Sequence, residues 1–330
     1  MSFQLCFDYE QEVPTLKRLI ALSAKTQWDV GDIDWTQRVG VSAYERILDW
    51  HGAIRSEYVQ RLPKKKKEAL ARQFVAFDLS QVLHGEQAAM MLAGRLTSAV
   101  DDLDARIFAA TQAKDEARHV MALREVVGRL GPIYDCGPIL RDTLAQLLEC
   151  DLWPKQVLGL QLFLEARALL SFRQHLLFVK DPVFTDAIMR IERDESQHVA
   201  FGIQYLKSGI EALDRAQREE LIEYALYLDD NIWVLNRSEE YRAVFEEMDL
   251  DYEEFRATYR APSFLAMGMS PRAQKTVEEM HEQFGKWFIG AVTRVGLTEV
   301  AERRKKDGPL PELDAVDPDA LEERLPWITT

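Results

Sequence analysis

The sequence predicts an all-α protein built around four long helices. Only 16 of the 330 residues are Gly and 12 are Pro, and the strand-like alternation of apolar and polar residues is nearly absent. Apolar residues recur instead at three- and four-residue intervals over long stretches, which is the period of a helix with one buried face. We therefore expect a long four-helix bundle with additional helices at its amino- and carboxyl-terminal ends.

The positions of Gly, Pro and the apolar stripes set the predicted elements. The breaks at 131–138 and 181–182 contain Gly-Pro or Asp-Pro pairs, which favour turns and the first position of a following helix. The predicted helices, in chain order, are 42–61, 66–98, 102–130, 140–150, 154–179, 182–211 and 215–236, with two more in 239–296.

These elements predict one large helical domain with extensions at both ends. Residues 1–36 are expected to form an irregular amino-terminal arm, and residues 297–330 a mobile carboxyl-terminal tail. The domain is expected to span 37–296, with a four-helix core over about 66–211 and accessory helices over 212–296.

Composition excludes several classes of function. The net charge of −14 disfavours nucleic acid as a partner. No stretch approaches the ~18 consecutive apolar residues of a membrane helix, and the first residues lack a signal-peptide pattern. The three cysteines, Cys6, Cys136 and Cys150, form no Cys-x-x-Cys pair, which fits a reducing compartment and disfavours thiolate metal sites. We expect a cytoplasmic protein.

Each of the four long helices carries a carboxylate in the middle of its apolar stripe. These residues are Glu86, Glu116, Glu165 and Glu195. An unpaired buried charge costs at least several kcal/mol, and these stripes contain no Lys or Arg. Four such carboxylates on four successive long helices therefore predict bound cations.

Two histidines complete the predicted ligand set. His119 follows Glu116 by three positions and His198 follows Glu195 by three, so each pair lies on one helix face. Thirty residues separate Glu86 from Glu116, and thirty separate Glu165 from Glu195. Two antiparallel helices joined by a short turn return to the same height after such an interval. The sequence thus predicts a pseudo-symmetric two-metal centre within a four-helix bundle.

The donor set indicates the metal and its surroundings. Carboxylate oxygens with one imidazole per metal suit iron or manganese better than copper or zinc, so we expect two iron ions, with a Mn/Fe pair as the alternative. A metal-bound histidine usually donates its free N–H to a carboxylate. Across the antiparallel pair, Asp115 is expected to hold His198, and Asp194 to hold His119.

These residues resemble a known group of proteins. The chain looks like a member of the ferritin-like superfamily, in the branch that contains ribonucleotide reductase small subunits, bacterial multicomponent monooxygenases, acyl-carrier-protein desaturases and di-iron N-oxygenases. Residues 115–119, Asp-Glu-Ala-Arg-His, are similar to a monooxygenase motif. Residues 27–34 are similar to a reductase segment, and this resemblance implies an electron-transfer chain of Trp28, Asp194 and His119.

Two positions depart from these relatives. Reductase small subunits generally place a radical Tyr four residues after the first ligand His, where this chain has Leu123. Monooxygenases usually place Thr four residues after the third Glu, where this chain has Leu169. The first departure disfavours a tyrosyl-radical reductase, and the second disfavours a typical multicomponent hydroxylase.

We therefore expect an oxygen-activating di-iron oxygenase that hydroxylates, desaturates or N-oxygenates a small organic substrate. Its partners would be O2, that substrate and a separate electron donor (a reductase or ferredoxin), and the resemblance adds a homodimer. The expected pocket is apolar and lined by Leu83, Ala89, Met90, Leu123, Leu169, Phe172 and Phe201. The alternatives are a Mn/Fe reductase-like subunit or ligand-binding oxidase, and a non-catalytic metal-binding or scaffold subunit.

Overall fold

Four long helical segments form the centre of the fold. A computed structural model of the chain describes residues 13–38, 40–51, 53–231, 241–259 and 271–304, together with residues 5, 7 and 9. The described part is helical and contains no strand. The central segments are α4 (Lys64–Ala99), α5 (Leu103–Leu130), a segment that runs through α7 (Trp153–Val157), a π-helical stretch (Leu158–Glu165) and α8 (Ala166–Phe178), and α9 (Pro182–Glu211).

Shorter helices surround this core. On the amino-terminal side, α1 packs against α5 and α9. The shorter helices are α1 (Pro14–Lys25), α2 (Ile47–Trp50), α3 (Glu57–Arg61), α6 (Pro138–Glu149), α10 (Arg215–Asn231), α11 (Arg242–Glu247), α12 (Tyr252–Thr258), α13 (Pro271–Arg294) and α14 (Thr298–Arg304).

The prediction of one helix over 42–61 is wrong. This stretch contains α2, α3 and two turns of 3-10 helix, Val41–Tyr44 and Ala53–Arg55. Its side chains have distant partners, since His51 Nε2 lies 2.8 Å from Asp78 Oδ2 and Ser56 Oγ lies 2.6 Å from Thr258 Oγ1. These tertiary contacts override the helical propensity of the sequence.

The carboxyl-terminal part also differs from the prediction. Three helices, α11 to α13, replace the two expected before residue 296. The first residues of the expected tail form α14, in which Val300 and Ala301 are buried. Residues 305–330 of the expected tail lie outside the described residues.

The apolar core is divided into two clusters by the predicted ligands. On α4, one cluster extends to Leu83 and the other begins at Ala89, on either side of Glu86. On α9, the division falls between Ile191 and Val199. On α4, α5 and α9 the change from one apolar cluster to the other therefore falls at the predicted Glu and His ligands, whereas on α8 it falls between Leu170 and Phe172.

The π-helical stretch over Leu158–Glu165 positions one of these glutamates. Glycine at 202 on α9 permits its close packing, because a Cβ there would lie 2.5 Å from Leu162 Cδ1 and 2.7 Å from Gln161 Cβ. A π-helix has a wider turn than an α-helix. Relative to regular α-helical spacing, the stretch therefore changes the phase between Glu165 and the residues that precede Leu158.

Candidate metal centre

The structure places all six predicted ligands in one buried layer. They form two groups, and within each group one ligand atom per residue lies within 4.8 Å of the others. One group is Glu86, Glu116, His119 and Glu195, and the other is Glu116, Glu165, Glu195 and His198.

Glu116 and Glu195 belong to both groups. Glu116 places Oε2 3.1 Å from His119 Nδ1 and Oε1 3.2 Å from His198 Nδ1. Glu195 places Oε1 3.0 Å from His119 Nδ1 and Oε2 3.5 Å from His198 Nδ1. Each carboxylate directs one oxygen to each half of the centre, which is a bridging arrangement. Glu86 and Glu165 serve one half each.

The electrostatics of this layer call for cations. Burial, and then the charge of Glu195, raise the pKa of Glu86 and of Glu165 well above the usual range. Burial also acts on Glu116, but His198 and His119 hold the pKa of that carboxyl well below its usual value. Two divalent cations would balance the four carboxylates.

Buried polar atoms point to the same conclusion. Glu165 Oε2 and both ring nitrogens of His198 make no hydrogen bond within the described part of the chain. A buried polar group without a partner is costly, and metal coordination removes that cost. The residues present therefore fit the predicted pair of iron or manganese ions.

Asp194 occupies its predicted position behind His119. Its Oδ2 lies 3.2 Å from His119 Nε2 and accepts hydrogen bonds from Trp28 Nε1 at 2.7 Å and Arg118 at 2.8 Å. Burial opposes ionisation, but His119, Trp28 and Arg118 together lower the pKa of Asp194. The three residues Trp28, Asp194 and His119, which the resemblance implies as a chain, are in contact in this order.

Asp115 lies behind His198 at a longer distance, beyond a regular hydrogen bond. Its Oδ2 lies 3.5 Å from His198 Nε2, and its Oδ1 accepts hydrogen bonds from Arg118 at 2.6 Å and Gln27 at 3.3 Å. Arg118 thus joins the two aspartates. The sequence motif contained Arg118, but nothing in it indicated that one guanidinium contacts both.

Two glutamines adjoin the ligands and were not predicted. Gln112 donates to Glu165 Oε1 at 2.5 Å and to Glu116 Oε1 at 3.2 Å. Gln161, in the π-helical stretch, donates to Gln112 Oε1 at 3.0 Å. Gln112 lies on the apolar stripe of α5, one helical turn before Glu116. A polar residue at that spacing is the signal that could have identified it.

A cavity of about 100 Å³ opens onto the ligand carboxylates. It lies between α4 and the segment formed by the π-helical stretch and α8, and α6 contributes Leu140. Its lining includes the glutamates at 86, 165 and 195, a polar set of Asp78, Gln81, Arg167 and Ser171, and an apolar set of Val82, Ala89, Leu140, Leu160, Leu164 and Ala168, with Gly85.

Most of the residues predicted to line the substrate pocket lie outside this cavity. Of the seven predicted residues, only Ala89 lines the cavity. Leu83, Leu123, Leu169, Phe172 and Phe201 are buried in the two apolar clusters, and Met90 is half-buried outside the cavity. On α8, Arg167, Ala168 and Ser171 line the cavity, whereas Leu169 packs in the apolar core. The cavity is also not apolar throughout, since Asp78 and Arg167 line it.

Comparison with known proteins decides the family. Residues 9–282 match the sequence model described as "P-aminobenzoate N-oxygenase AurF". The chain belongs to this family. Its membership confirms the predicted class, an O2-dependent di-iron oxidoreductase with a ferritin-like fold. Among curated proteins there is no significant match.

Solved structures similar to this AurF-family protein share its fold. An R2-like ligand-binding oxidase variant with a Mn/Fe cofactor has a TM-score of 0.52 at 15% identity, covering 87% of this chain and 96% of that chain. Dimanganese(II)-NrdF from Streptococcus sanguinis has a TM-score of 0.49 at 15% identity, covering 89% and 93%. Within the described residues, no helix combines the length and apolar character needed to cross a bilayer.

Proposed function

We propose that this protein N-oxygenates an aromatic amine that also carries a carboxylate. The observation that carries the proposal is the cavity itself, whose lining combines the ligand glutamates with Arg167 and Asp78. Its apolar lining residues suit an aromatic ring. The amine would then face the metals, and the carboxylate would face Arg167.

Arg167 is positioned to hold an anion. Burial lowers its pKa to about 10, so the guanidinium remains charged at neutral pH. Its Nε is buried and makes no hydrogen bond to any described residue. A guanidinium can hold a carboxylate through two parallel hydrogen bonds, and such a partner would satisfy a cation that the protein leaves unpaired.

The neighbouring Asp78 does not serve as the carboxylate partner of Arg167, because two histidines interact with it. His175 Nδ1 lies 2.8 Å from the carbonyl oxygen of Ser171, and its Nε2 lies 3.2 Å from Asp78 Oδ2. These contacts engage the Asp78 carboxylate with histidine, and Arg167 Nε keeps no hydrogen-bond partner among the described residues.

The reaction balances with the predicted partners. One oxygen atom of O2 enters an N–H bond of the amine to give a hydroxylamine, and the other leaves as water. A separate reductase or ferredoxin supplies two electrons, and solvent supplies two protons. When bound, the two metals supply the oxygen activation. The protein's own residues orient the amine, hold the carboxylate and exclude water.

The proposal is tested with iron-loaded protein, p-aminobenzoate, a chemical reductant and isotopically labelled O2. We expect a labelled N-oxygenated product, detected by mass spectrometry, and a much slower reaction with aniline, which lacks the carboxylate. O2 consumption without labelled product from p-aminobenzoate or related anionic arylamines would contradict the proposal.

A further inference from the structure

A stack of aromatic rings leads away from His198. The Phe108 ring lies 6.3 Å from the His198 ring, measured between centroids, and 4.6 Å from the Phe201 ring, nearly parallel to it at 7°. Phe201 stacks on Tyr205 at 5.4 Å, and Tyr205 stacks on Trp153 at 5.2 Å. Trp153 is half-buried and ends the stack.

We infer that Phe108, Phe201, Tyr205 and Trp153 form a route along which the metal centre draws an electron from the protein when no substrate is oxidised. We call these four residues the aromatic stack. The inference rests on the proposed oxygen activation, which supplies the oxidant. Tyrosine and tryptophan are the most readily oxidised aromatic side chains, whereas the two phenylalanines only bring the rings into contact.

Tyr205 has the proton acceptor that its oxidation requires. Its hydroxyl donates to Asp102 Oδ2 at 2.9 Å, and the side chain is buried. In the proposed step, Tyr205 loses one electron to the oxidised metal centre and its phenolic proton to the Asp102 carboxylate. Trp153 then returns an electron to Tyr205, which recovers the proton, and a one-electron reductant in solution restores Trp153.

The packing keeps Trp153 in the stack. A Cβ at Gly209 would lie 2.3 Å from Trp153 Cη2 and 2.6 Å from its Cζ2, so only glycine at this position on α9 lets the indole lie where it does. Gly209 and Tyr205 are one helical turn apart, and the indole covers both.

On the alternative route, the Trp28 ring lies between opposite charges, because Asp194 accepts its N–H at 2.7 Å and two guanidinium groups face the ring. The guanidinium carbons of Arg118 and Arg190 lie 4.8 Å and 5.8 Å from the centroid of the Trp28 ring. Two cations stabilise the neutral ring by cation–π attraction and repel the positive charge that oxidation would create. Within the described residues, no cation lies over the Tyr205 or Trp153 ring.

The test exposes iron-loaded protein to O2 without substrate and freezes it at successive times for electron paramagnetic resonance. We expect an aromatic radical signal in the natural protein, its loss in Tyr205→Phe, and its retention in Tyr134→Phe. Tyr134 is the matched control, since it is another buried tyrosine with a hydrogen-bonded hydroxyl, donating to Gln73 at 2.6 Å, and it lies outside the stack. Peptide mass spectrometry should find oxidised Trp153 in the natural protein and less of it in Tyr205→Phe.

The outcomes separate the two proposals. A radical that survives in Tyr205→Phe, or that is lost only in Trp28→Phe, overturns the aromatic stack and leaves the proposed function standing if N-oxygenated product still forms. Protein that binds iron but consumes no O2 overturns both. Metal content and thermal unfolding of each variant show that a lost signal does not come from a lost centre.

Discussion

Trp28 donates its indole N–H to Asp194 Oδ2 over 2.7 Å, across a separation of 166 residues in the chain. The same carboxylate oxygen lies 3.2 Å from His119 Nε2. The amino-terminal segment therefore fixes the group that orients one of the proposed metal-binding histidines.

Replacing Asp194 should weaken the metal site that contains His119. Asp194→Asn removes the negative charge that favours a proton on His119 Nε2 and so leaves Nδ1 less committed to coordination. Loss of such a partner typically lowers metal affinity by ~10–100-fold. Anaerobic titration with Fe(II) or Mn(II) measures it. Asp186→Asn, at a more exposed position on α9 that pairs with Arg190, is the control, and equal affinities in the two variants would contradict the assignment.

The shared position of Glu116 predicts a difference in metal stoichiometry between two variants. Glu116→Ala should lose both metals, because this carboxylate belongs to both ligand groups. Glu86→Ala should retain one, since Glu86 belongs to a single group. Elemental analysis of purified protein decides, with Glu125→Ala on the exposed face of α5 as the control. Full metal content in Glu116→Ala would refute the predicted centre.

Asp78→Asn should destabilise the fold in a pH-dependent way. The Asp78 and His175 side chains are 4% and 1% exposed, and breaking a buried ion pair costs about 3–5 kcal/mol. Although burial opposes it, His51 and His175 hold the pKa of Asp78 far below its usual value. Its contribution is therefore complete above the ordinary aspartate pKa of about 3.9 and declines as the pH falls below that.

Urea unfolding measures this contribution. The difference in unfolding free energy between natural and Asp78→Asn protein should shrink as the pH falls below about pH 4. Asp142→Asn, at an exposed carboxylate of α6, should show no such difference. A gap that widens toward acidic pH would mean that the histidines do not neutralise Asp78.

Arg167→Met should raise KM for p-aminobenzoate and leave KM for aniline nearly unchanged. A hydrogen bond to a charged group contributes about 1.5–3 kcal/mol, which corresponds to roughly a 10- to 100-fold change in KM. Arg173→Met is the control, because Arg173 is on the same helix and pairs with Glu192. An equal rise for both substrates would show that Arg167 supports the fold and not the carboxylate.

Gly202→Ala should disturb the centre through the π-helical stretch. The added methyl group would overlap Leu162 and Gln161, and overpacking typically costs about 1–3 kcal/mol. Gln161 donates to Gln112, which donates to Glu165, so we expect weaker metal binding as well as a lower Tm. Gly94→Ala, with open space around the new Cβ, should be neutral or stabilising. Unchanged metal affinity in Gly202→Ala would show that packing around the π-helical stretch does not affect the metal centre.

The ligand set could be predicted because it depends only on helix geometry. Glu116 with His119, and the thirty-residue intervals, follow from the pitch and rise of an α-helix. The cavity could not be predicted in the same way. The position of Arg167 depends on the π-helical stretch before it, which has no clear sequence signature, and its role depends on the charge balance of Asp78.

The sequence also did not predict which carboxylates bridge the two halves of the centre. The motif left open which glutamates are shared, and only the side-chain positions of Glu116 and Glu195 answer this. Likewise, the broken helices over 41–61 depend on partners such as Asp78 and Thr258, which local sequence does not contain.

The amino-terminal contacts have a consequence for how the chain acquires its structure. Val13 donates its backbone N–H to Asp104, Gln27 binds Asp115, and Trp28 binds Asp194. During synthesis Val13 and Gln27 leave the ribosome before their partners on α5, and Trp28 has no partner until α9 has emerged. The last of these contacts therefore joins one of the earliest described segments of the chain to one of the later long helices.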